Sequence, residues 1–266
     1  MPLVVAKTSK HLAFNFLTTK EIVLDQSLTV LAFSTFSKYS TLQSSLHNEW
    51  ARKYSTSQGG TPRYNPTDAF QNFPFPISVH VKGEHLLEST GEAYHEHRRQ
   101  LMLGMQLGLT KTYNQFHNDE LRITNREWLR LLALLEEGKS LQSIDLKSYK
   151  FNKESLNLIK HFLKGEPTIT LPEAVQGILK LRELHVQMDE AVLSAYGWGN
   201  DELKITNYDD NSDAVIRNSQ LKIDLRHDFY EVDYLPENDR IRFTIHPDAR
   251  KEVLKRLLEL NHKIHE

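Results

Sequence analysis

The chain has 266 residues, of which 39% are hydrophobic and 26% are charged, so it can bury one substantial core or one domain with a smaller companion. It contains no cysteine, which excludes disulfides, thiolate zinc sites and a cysteine nucleophile, and which favours a reducing, cytoplasmic location. No apolar run approaches the roughly 20 residues that span a bilayer, so we expect no membrane partner.

The formal net charge of −2 hides an asymmetry along the chain. Residues 1–63 hold seven Lys or Arg against three acids, whereas residues 183–240 hold fourteen acids against five Lys or Arg. An anionic partner such as nucleic acid would bind the first region and be repelled by the second. Charges that only keep the surface solvated explain the same pattern equally well, so charge alone leaves both interpretations open.

The first part of the chain predicts a small β-structure followed by a helix. Residues 11–17 and 22–33 are rich in Val, Phe, Leu and Thr, which predicts a hairpin or two consecutive strands. We expect the edge of this sheet to be exposed unless a partner pairs with it. Apolar residues then recur at helical spacing over residues 39–54, which predicts a helix.

The next segment predicts a polar loop and then a stiff strip. Gly59 and Gly60 favour a flexible loop. Pro66, Pro74 and Pro76 favour extended backbone, because a residue that precedes proline avoids the α region. Three phenylalanines of the strip are expected to enter the core: Phe70, Phe73 and Phe75.

The middle of the chain predicts helices. Residues 84–113 form one amphipathic stretch with a turn at 112–117, and residues 173–196 form the clearest helical pattern of the chain. Between them, Thr124 and Glu127 match a capping box that opens a helix over 125–137, and a second short helix covers 153–164. We interpret residues 120–168 as an inserted helical module.

The C-terminal part predicts a loop, a small hairpin and a helix. Residues 200–213 are acidic and polar, which favours a loop. Residues 221–225 and 240–245 predict short strands around a turn, and residues 246–265 predict a helix with Pro247 in its first turn. The whole pattern predicts an α+β fold that is predominantly helical, with a small N-terminal sheet, a helical middle and a C-terminal hairpin and helix.

No stretch of the sequence carries a defensible catalytic or metal site. The NPTD run at 65–68 lacks the second proline and the aromatic residue of an amino-methyltransferase motif, so we interpret it as a turn. The GKS run at 138–140 lacks the earlier glycine of a phosphate-binding loop. Thirteen histidines include the pairs His95/His97 and His262/His265, but neither pair has a third ligand at suitable spacing. We therefore predict no catalytic residue, no cofactor-binding residue and no metal site.

Basic and aromatic side chains alternate around the polar loop. Such side chains can contact phosphates, and Arg, Gln and Asn can read base edges in the major groove. An ordinary polar loop is the competing interpretation. The candidate DNA-binding residues are Lys38, Arg52, Lys53, Tyr54, Gln58, Arg63, Tyr64 and Asn65.

Several long motifs appear in a familiar order. They are LQSSLHNEWARKY, RYNPTDAFQNFPFP, LGLTKTYNQFHN, KLRELHVQMDEAVLSAYGW and RHDFYEVDYLPENDRIRFTIHPDARKEVLKRLLELNHK. Over about four fifths of its length the chain resembles the C-terminal region of large bacterial DNA adenine-N6 methyltransferases of the type IIG-like restriction–modification and phage-defence classes. The stretch least similar to that family is the module at 120–168.

The resemblance implies a division of the chain and a set of partners. Residues 1–78 would be part of a target-recognition domain, and residues 79–266 a helical support or spacer region. The S-adenosylmethionine motif and the catalytic Asn-Pro-Pro-Tyr type motif of the family would lie upstream and do not occur in this sequence. We therefore expect no cofactor in this chain, S-adenosylmethionine on a separate or missing catalytic polypeptide, and double-stranded DNA as a further partner.

Three hypotheses remain open from the sequence. In the first, the chain is the DNA target-recognition portion of such a methyltransferase and has no enzymatic activity alone. In the second, it is a protein-interaction module that docks through its acidic region and helices without touching DNA. In the third, it is an inactive remnant of such an enzyme. The recognised DNA sequence and the oligomeric state do not follow from the residues.

Overall fold

The computed structural model describes residues 1–18, 23–58, 61–76, 81–199 and 222–265. Its α+β class, mainly helical with a small N-terminal sheet and a C-terminal hairpin, confirms the predicted fold class. The strands are β1 Leu3–Ala6, β2 Asn15–Phe16, β3 Leu28–Leu31, β4 Thr56–Gln58, β5 Thr61–Arg63, β6 Asp228–Glu231 and β7 Ile241–Thr244. The helices are α1 Phe36–Gln43, α2 Ser45–Tyr54, α3 Val81–Met105, α4 Leu109–Phe116, α5 Arg126–Glu136, α6 Lys153–Leu163, α7 Leu171–Ala195 and α8 Pro247–His265.

The N-terminal sheet has its first strand in the centre. Its order is β2-β1-β3, with antiparallel pairs Leu3↔Phe16 and Leu3↔Leu31. The two predicted strands therefore do not pair with each other, because β1 lies between them. The sequence pattern missed β1, whose four residues are too few for a periodicity but are largely buried. The predicted link between the two strands is residues 18–21, of which 19–21 lie outside the described residues.

The predicted helix over 39–54 is wrong as a single element, because it breaks at Ser44. Ser44 is extended, with φ −65° and ψ 157°, and caps α2 by accepting a hydrogen bond from the amide of His47. Its hydroxyl also donates to the carbonyl of Thr41 at 2.7 Å. Serine often competes for backbone groups in this way, which favours helix ends over helix interiors.

The predicted flexible loop is largely a two-stranded antiparallel ribbon. β4 and β5 pair through Thr56↔Arg63 and Gln58↔Thr61, while residues 59 and 60 lie outside the described residues. Pro66 begins a short π-helical turn, because a proline in the first position of a helix needs no N–H donor. Asn65, which precedes Pro66, is extended as predicted, with φ −98° and ψ 114°, but the extended backbone does not continue through 66–70. Of the three phenylalanines in the strip, Phe73 is buried, and Phe70 and Phe75 pack partly buried against the core.

The central helices confirm most of the predicted helical pattern. The segment 112–117, predicted as a turn, instead belongs largely to α4. Asn125 caps α5 in place of Thr124, since its side chain accepts from the amides of Glu127 and Trp128. α3 and α7 pack along each other and form the main layer of the protein. A methyl group on Gly91 would collide with the carbonyl of Phe36, so a glycine is needed where α3 meets α1.

The C-terminal part forms a hairpin whose second strand lies where it was predicted, at 240–245, and whose first strand lies later than the predicted 221–225. Residues 222–227 have no strand, although Ile223 and Leu225 are buried beside α8. The hairpin consists of β6 and β7, with Phe229 opposite Phe243. The predicted acidic loop at 200–213 lies outside the described residues. The hairpin packs against α4 through Phe116 and Phe243 and against α7 through Arg182 and Phe229. Its connecting turn lies beside α2 at Arg52.

Candidate functional site: a basic ribbon and a histidine cavity

The candidate DNA-binding residues divide into exposed and internal side chains. Lys53 and Arg63 are both exposed at the open end of the β4–β5 ribbon, because Arg63 pairs with Thr56 and Lys53 lies in the last turn of α2 just before β4. Gln58 ends β4. Lys38 lies over the ring of Phe75, with its Nζ 4.8 Å from the ring centroid.

Other candidates have mainly structural contacts. Asn65 caps the π-helical turn by accepting from the amide of Thr67, and Tyr54 packs against Trp50 with ring centroids 4.3 Å apart. Tyr64 is buried, and its hydroxyl lies 3.3 Å from Nε2 of His47.

Arg52 points into the protein. Its Nη2 donates to the carbonyl of Lys10 at 2.8 Å, and its guanidinium lies 5.2 Å from the ring centroid of Tyr234. Burial lowers the pKa of Arg52, while Tyr234 and Glu49 oppose that effect. Arg52 therefore belongs to an internal site, and the exposed cations of the ribbon are Lys53 and Arg63.

The internal site is a cavity between the N-terminal and C-terminal parts of the chain. It has a volume of about 50 Å³ and opens to solvent at a mouth. Its walls come from residues 10–12, the end of α1, one face of α2 from Ser45 to Arg52, the end of α4, the middle of α7 and the β6–β7 hairpin with its connecting turn. His11, His117 and His185 line it, and we call it the histidine cavity.

Two of these histidines stack on each other. The rings of His11 and His117 lie 5.3 Å apart at an angle of 12°, and Nε2 of His11 is 2.9 Å from Oδ1 of Asn114. Burial lowers the pKa of His11 to about 3, against the opposing hydrogen bond to Asn114. Burial and nearby cations, among them Arg242, hold the pKa of His117 well below its ordinary value. Both rings are therefore neutral at neutral pH.

Ser45, His185 and Asp189 meet at the inner end of the cavity. The amide of Ser45 donates to Oδ1 of Asp189 at 2.7 Å, and Nε2 of His227 donates to Oδ2 at 2.8 Å. Oγ of Ser45 lies 3.0 Å from Nε2 of His185, but that same nitrogen is the one closest to Asp189, at 3.5 Å. A serine triad needs the serine and the carboxylate on opposite ring nitrogens, so this cluster is not a hydrolytic triad.

Buried nitrogen atoms without a hydrogen-bond partner among the described residues concentrate at this cavity. An unsatisfied buried polar group costs roughly 1–3 kcal/mol, so such groups are usually rare and often mark a site. Those that belong to residues lining the cavity are Nη1 of Arg52, Nδ1 of His117, Nδ1 of His185 and Nη2 of Arg242.

Little in the amino-acid sequence indicates this cavity. His185 and Asp189 are four apart in a clear helical pattern, which places them on one face and was the one readable signal. His11, His117 and Arg242 lie far apart in the sequence and meet only through the packing of three elements. Arg52 was predicted as a surface residue because it ends an amphipathic helix near other cations.

The described part of the chain holds no cluster of three or more His, Asp or Glu side chains arranged for a metal ion. Within the same residues, no helix is both long enough and apolar enough to cross a membrane. Comparisons with protein-family models, with curated proteins and with solved structures found no match to this chain.

Proposed function

We propose that the chain is the DNA target-recognition portion of a DNA adenine methyltransferase and acts with a separate polypeptide that binds S-adenosylmethionine and carries out methyl transfer. The order of long sequence motifs supports the family. The chain itself contributes DNA contacts, and the catalytic motifs belong to its partner. In this proposal the helices α3 to α8 support the recognition region and pack on the catalytic polypeptide in the cytoplasm.

The observation that carries the DNA proposal is the β4–β5 ribbon. The major groove of B-DNA admits a two-stranded β-ribbon as well as a helix. Lys53 precedes the ribbon and Arg63 ends it, and both side chains are exposed. Because Arg63 pairs with Thr56, both cations lie at the open end of the ribbon. Cations there can contact phosphates at the edge of a groove, while polar residues of the ribbon face the bases.

The double variant Lys53→Ala/Arg63→Ala tests the ribbon. We expect weaker binding of the full chain to duplex DNA and a salt dependence whose log–log slope falls by about 2, since each lost phosphate contact removes about 0.9. Fluorescence anisotropy over a series of salt concentrations measures both quantities. The matched control is Lys160→Ala/Lys251→Ala, which removes the same charge from exposed positions on α6 and α8.

Equal loss of binding in both double variants would contradict the ribbon and indicate attraction by overall charge. The catalytic partnership has its own test, which is co-expression with the neighbouring reading frame followed by mapping of methylated adenines. We expect site-specific methylation only when both chains are present. Methylation that is unchanged without this chain, together with stable association of the two polypeptides, would favour the protein-interaction hypothesis.

A further inference from the structure

We infer that the histidine cavity binds the phosphate group of a small organic phosphomonoester, with Lys10, Arg52 and Arg242 as its cationic ligands. This site is separate from the proposed DNA-binding ribbon. It rests on three features of the cavity: its charge, its unpaired nitrogen atoms and its aromatic wall.

The charge of the lining is one-sided. Lys10, Arg52 and Arg242 line the cavity, and the described lining residues include no aspartate or glutamate. Asp239 holds two of the cations from behind, with 2.7 Å to Nζ of Lys10 and 3.9 Å to Nη2 of Arg242. The carboxylate of Asp239 therefore neutralises at most one of the two charges of Lys10 and Arg242. Arg52 is the third cation of the lining.

Arg52 has a carboxyl group of its own nearby, but that group is only partly ionised. Glu49 is buried, and burial raises its pKa to about 7, although Arg250 and Arg52 lower it. A carboxyl group with such a pKa is only about half ionised at neutral pH. Asp189 is a second ionised carboxylate behind the inner end of the cavity, but the amide of Ser45 and the rings of His185 and His227 face it. The three cations of the lining therefore still outnumber the ionised carboxylates behind it, by a small margin.

The unpaired nitrogen atoms supply directional contacts. Nη1 of Arg52 and Nη2 of Arg242 have no hydrogen-bond partner among the described residues, and Arg242 is only 7% exposed. Nδ1 of His185 is likewise without a partner, and that residue is also 7% exposed. A guanidinium fork matches a phosphate with two parallel hydrogen bonds. A neutral histidine ring can donate one more.

The opposite wall suits an organic group. Tyr113, Phe116, Tyr234 and Phe243 line the cavity beside the cations. Its volume of about 50 Å³ exceeds the roughly 10–15 Å³ that one water needs, so it has room for a phosphate group, with the organic group towards the open mouth. A phosphomonoester fits better than a carboxylate, because it carries about −1.5 to −2 charges at neutral pH against three cations. Duplex DNA is a poor occupant, since the inner groups of the cavity are almost fully buried.

Isothermal titration calorimetry of the full chain with phenyl phosphate, phenol and inorganic phosphate tests the inference. We expect phenyl phosphate to bind, inorganic phosphate to bind more weakly, and phenol not to bind. Arg242→Gln and Lys10→Gln should each weaken the binding of phenyl phosphate at least tenfold. The control Arg99→Gln, which changes an exposed arginine on α3, should leave it unchanged.

Three results would overturn the inference. The first is that phenyl phosphate does not bind, and the second is that phenol binds with equal affinity. The third is that Arg242→Gln and Lys10→Gln both bind phenyl phosphate as tightly as the parent chain. A 5′-phosphorylated single-stranded oligonucleotide distinguishes the source of the phosphate. If it alone binds in an Arg242-dependent way, the site belongs to nucleic acid ends and not to a small molecule. Lys53→Ala/Arg63→Ala should bind phenyl phosphate normally, so this site and the DNA-binding ribbon can fail independently.

Discussion

Two buried arginines, Arg182 on α7 and Arg242 on β7, have opposite surroundings. Arg182 donates to the carbonyls of Phe116, Gln115 and Asn118 at 2.8–3.0 Å, and also to that of Leu121. Arg242 leaves Nη2 without a hydrogen bond and faces the histidine cavity. The same residue type therefore holds the fold together at one place and leaves binding capacity unused at the other.

Among the described residues, Arg182 and Arg98 are buried arginines whose guanidinium groups keep no buried unpaired nitrogen. Arg182 satisfies the carbonyls at the C-terminal end of α4, where helix carbonyls lack partners and the helix dipole favours a cation. Arg98 on α3 similarly donates to the carbonyl of Phe14 at 2.7 Å and to the hydroxyl of Tyr113 at 3.0 Å. In both cases the guanidinium joins distant backbone segments, so buried charge is explained by the fold without any ligand.

The largest effect is expected at Arg182. Arg182→Met keeps much of the apolar volume but leaves several buried carbonyls without donors, so we expect a loss of about 3–5 kcal/mol in the free energy of unfolding. Urea unfolding followed by circular dichroism measures the loss. The control Lys180→Met changes an exposed cation two residues away on α7 and should cost less than about 0.5 kcal/mol. A loss below about 1 kcal/mol in the free energy of unfolding of Arg182→Met would contradict the structural role of Arg182.

The next effect is expected at Asp189, the carboxylate behind the cavity. Burial alone would raise its pKa, but His185, the hydrogen bond from His227 and the hydrogen bond from Ser45 together lower it. Asp189→Asn removes charge-assisted hydrogen bonds, which contribute roughly 1.5–3 kcal/mol each, so we expect a loss of about 2–3 kcal/mol at neutral pH. Urea unfolding at several pH values measures it.

The sign of the pH dependence follows from the lowered pKa. The stabilisation by the Asp189 carboxylate is present above about pH 4, near the pKa of an unfolded aspartate, and is lost as the pH falls through the lower folded pKa. Asp189→Asn lacks the stabilisation by the carboxylate at every pH. The difference in the free energy of unfolding between variant and parent should therefore become smaller below about pH 4. The control Glu183→Gln, at an exposed position of α7, should show no such narrowing. If the difference in the free energy of unfolding stays constant in acid, then Asp189 acts only through packing.

Much of the fold follows from local sequence signals. Helices α5 and α6 end near Gly138 and Gly165, whose φ values of 87° and 76° favour glycine, and both stops were predicted. The break at Ser44 was missed because one of its causes is distant in sequence. The amide of Ser45, freed by the break, is bound by Asp189, 144 residues away. The central position of β1 was missed for the same reason, since pairing order is a tertiary property.

The site follows from the sequence much less well. Lys53 and Arg63 were correctly expected on the surface, but Arg52 looks the same in sequence and turns inward towards Lys10 and Tyr234. Helical spacing in a sequence shows which residues share one face of a helix. It does not show which other element packs on that face. The β6–β7 hairpin covers α2 at Arg52, and that packing converts a predicted DNA contact into part of a cavity wall.

The smallest change in the free energy of unfolding is expected at Arg242. This prediction tests most directly whether Arg242 differs from Arg182. Removing Arg182 breaks bonds that exist, whereas removing Arg242 relieves an unpaired buried group and one cation of a like-charged set. We therefore expect Arg242→Gln to change the free energy of unfolding by less than about 1 kcal/mol, or to raise it, as is common for residues kept for binding. The comparison depends on its melting being measured beside that of Arg182→Met in the same buffer. If Arg242→Gln destabilises as strongly as Arg182→Met, then Arg242 is a structural residue and its unpaired nitrogen is not spare binding capacity.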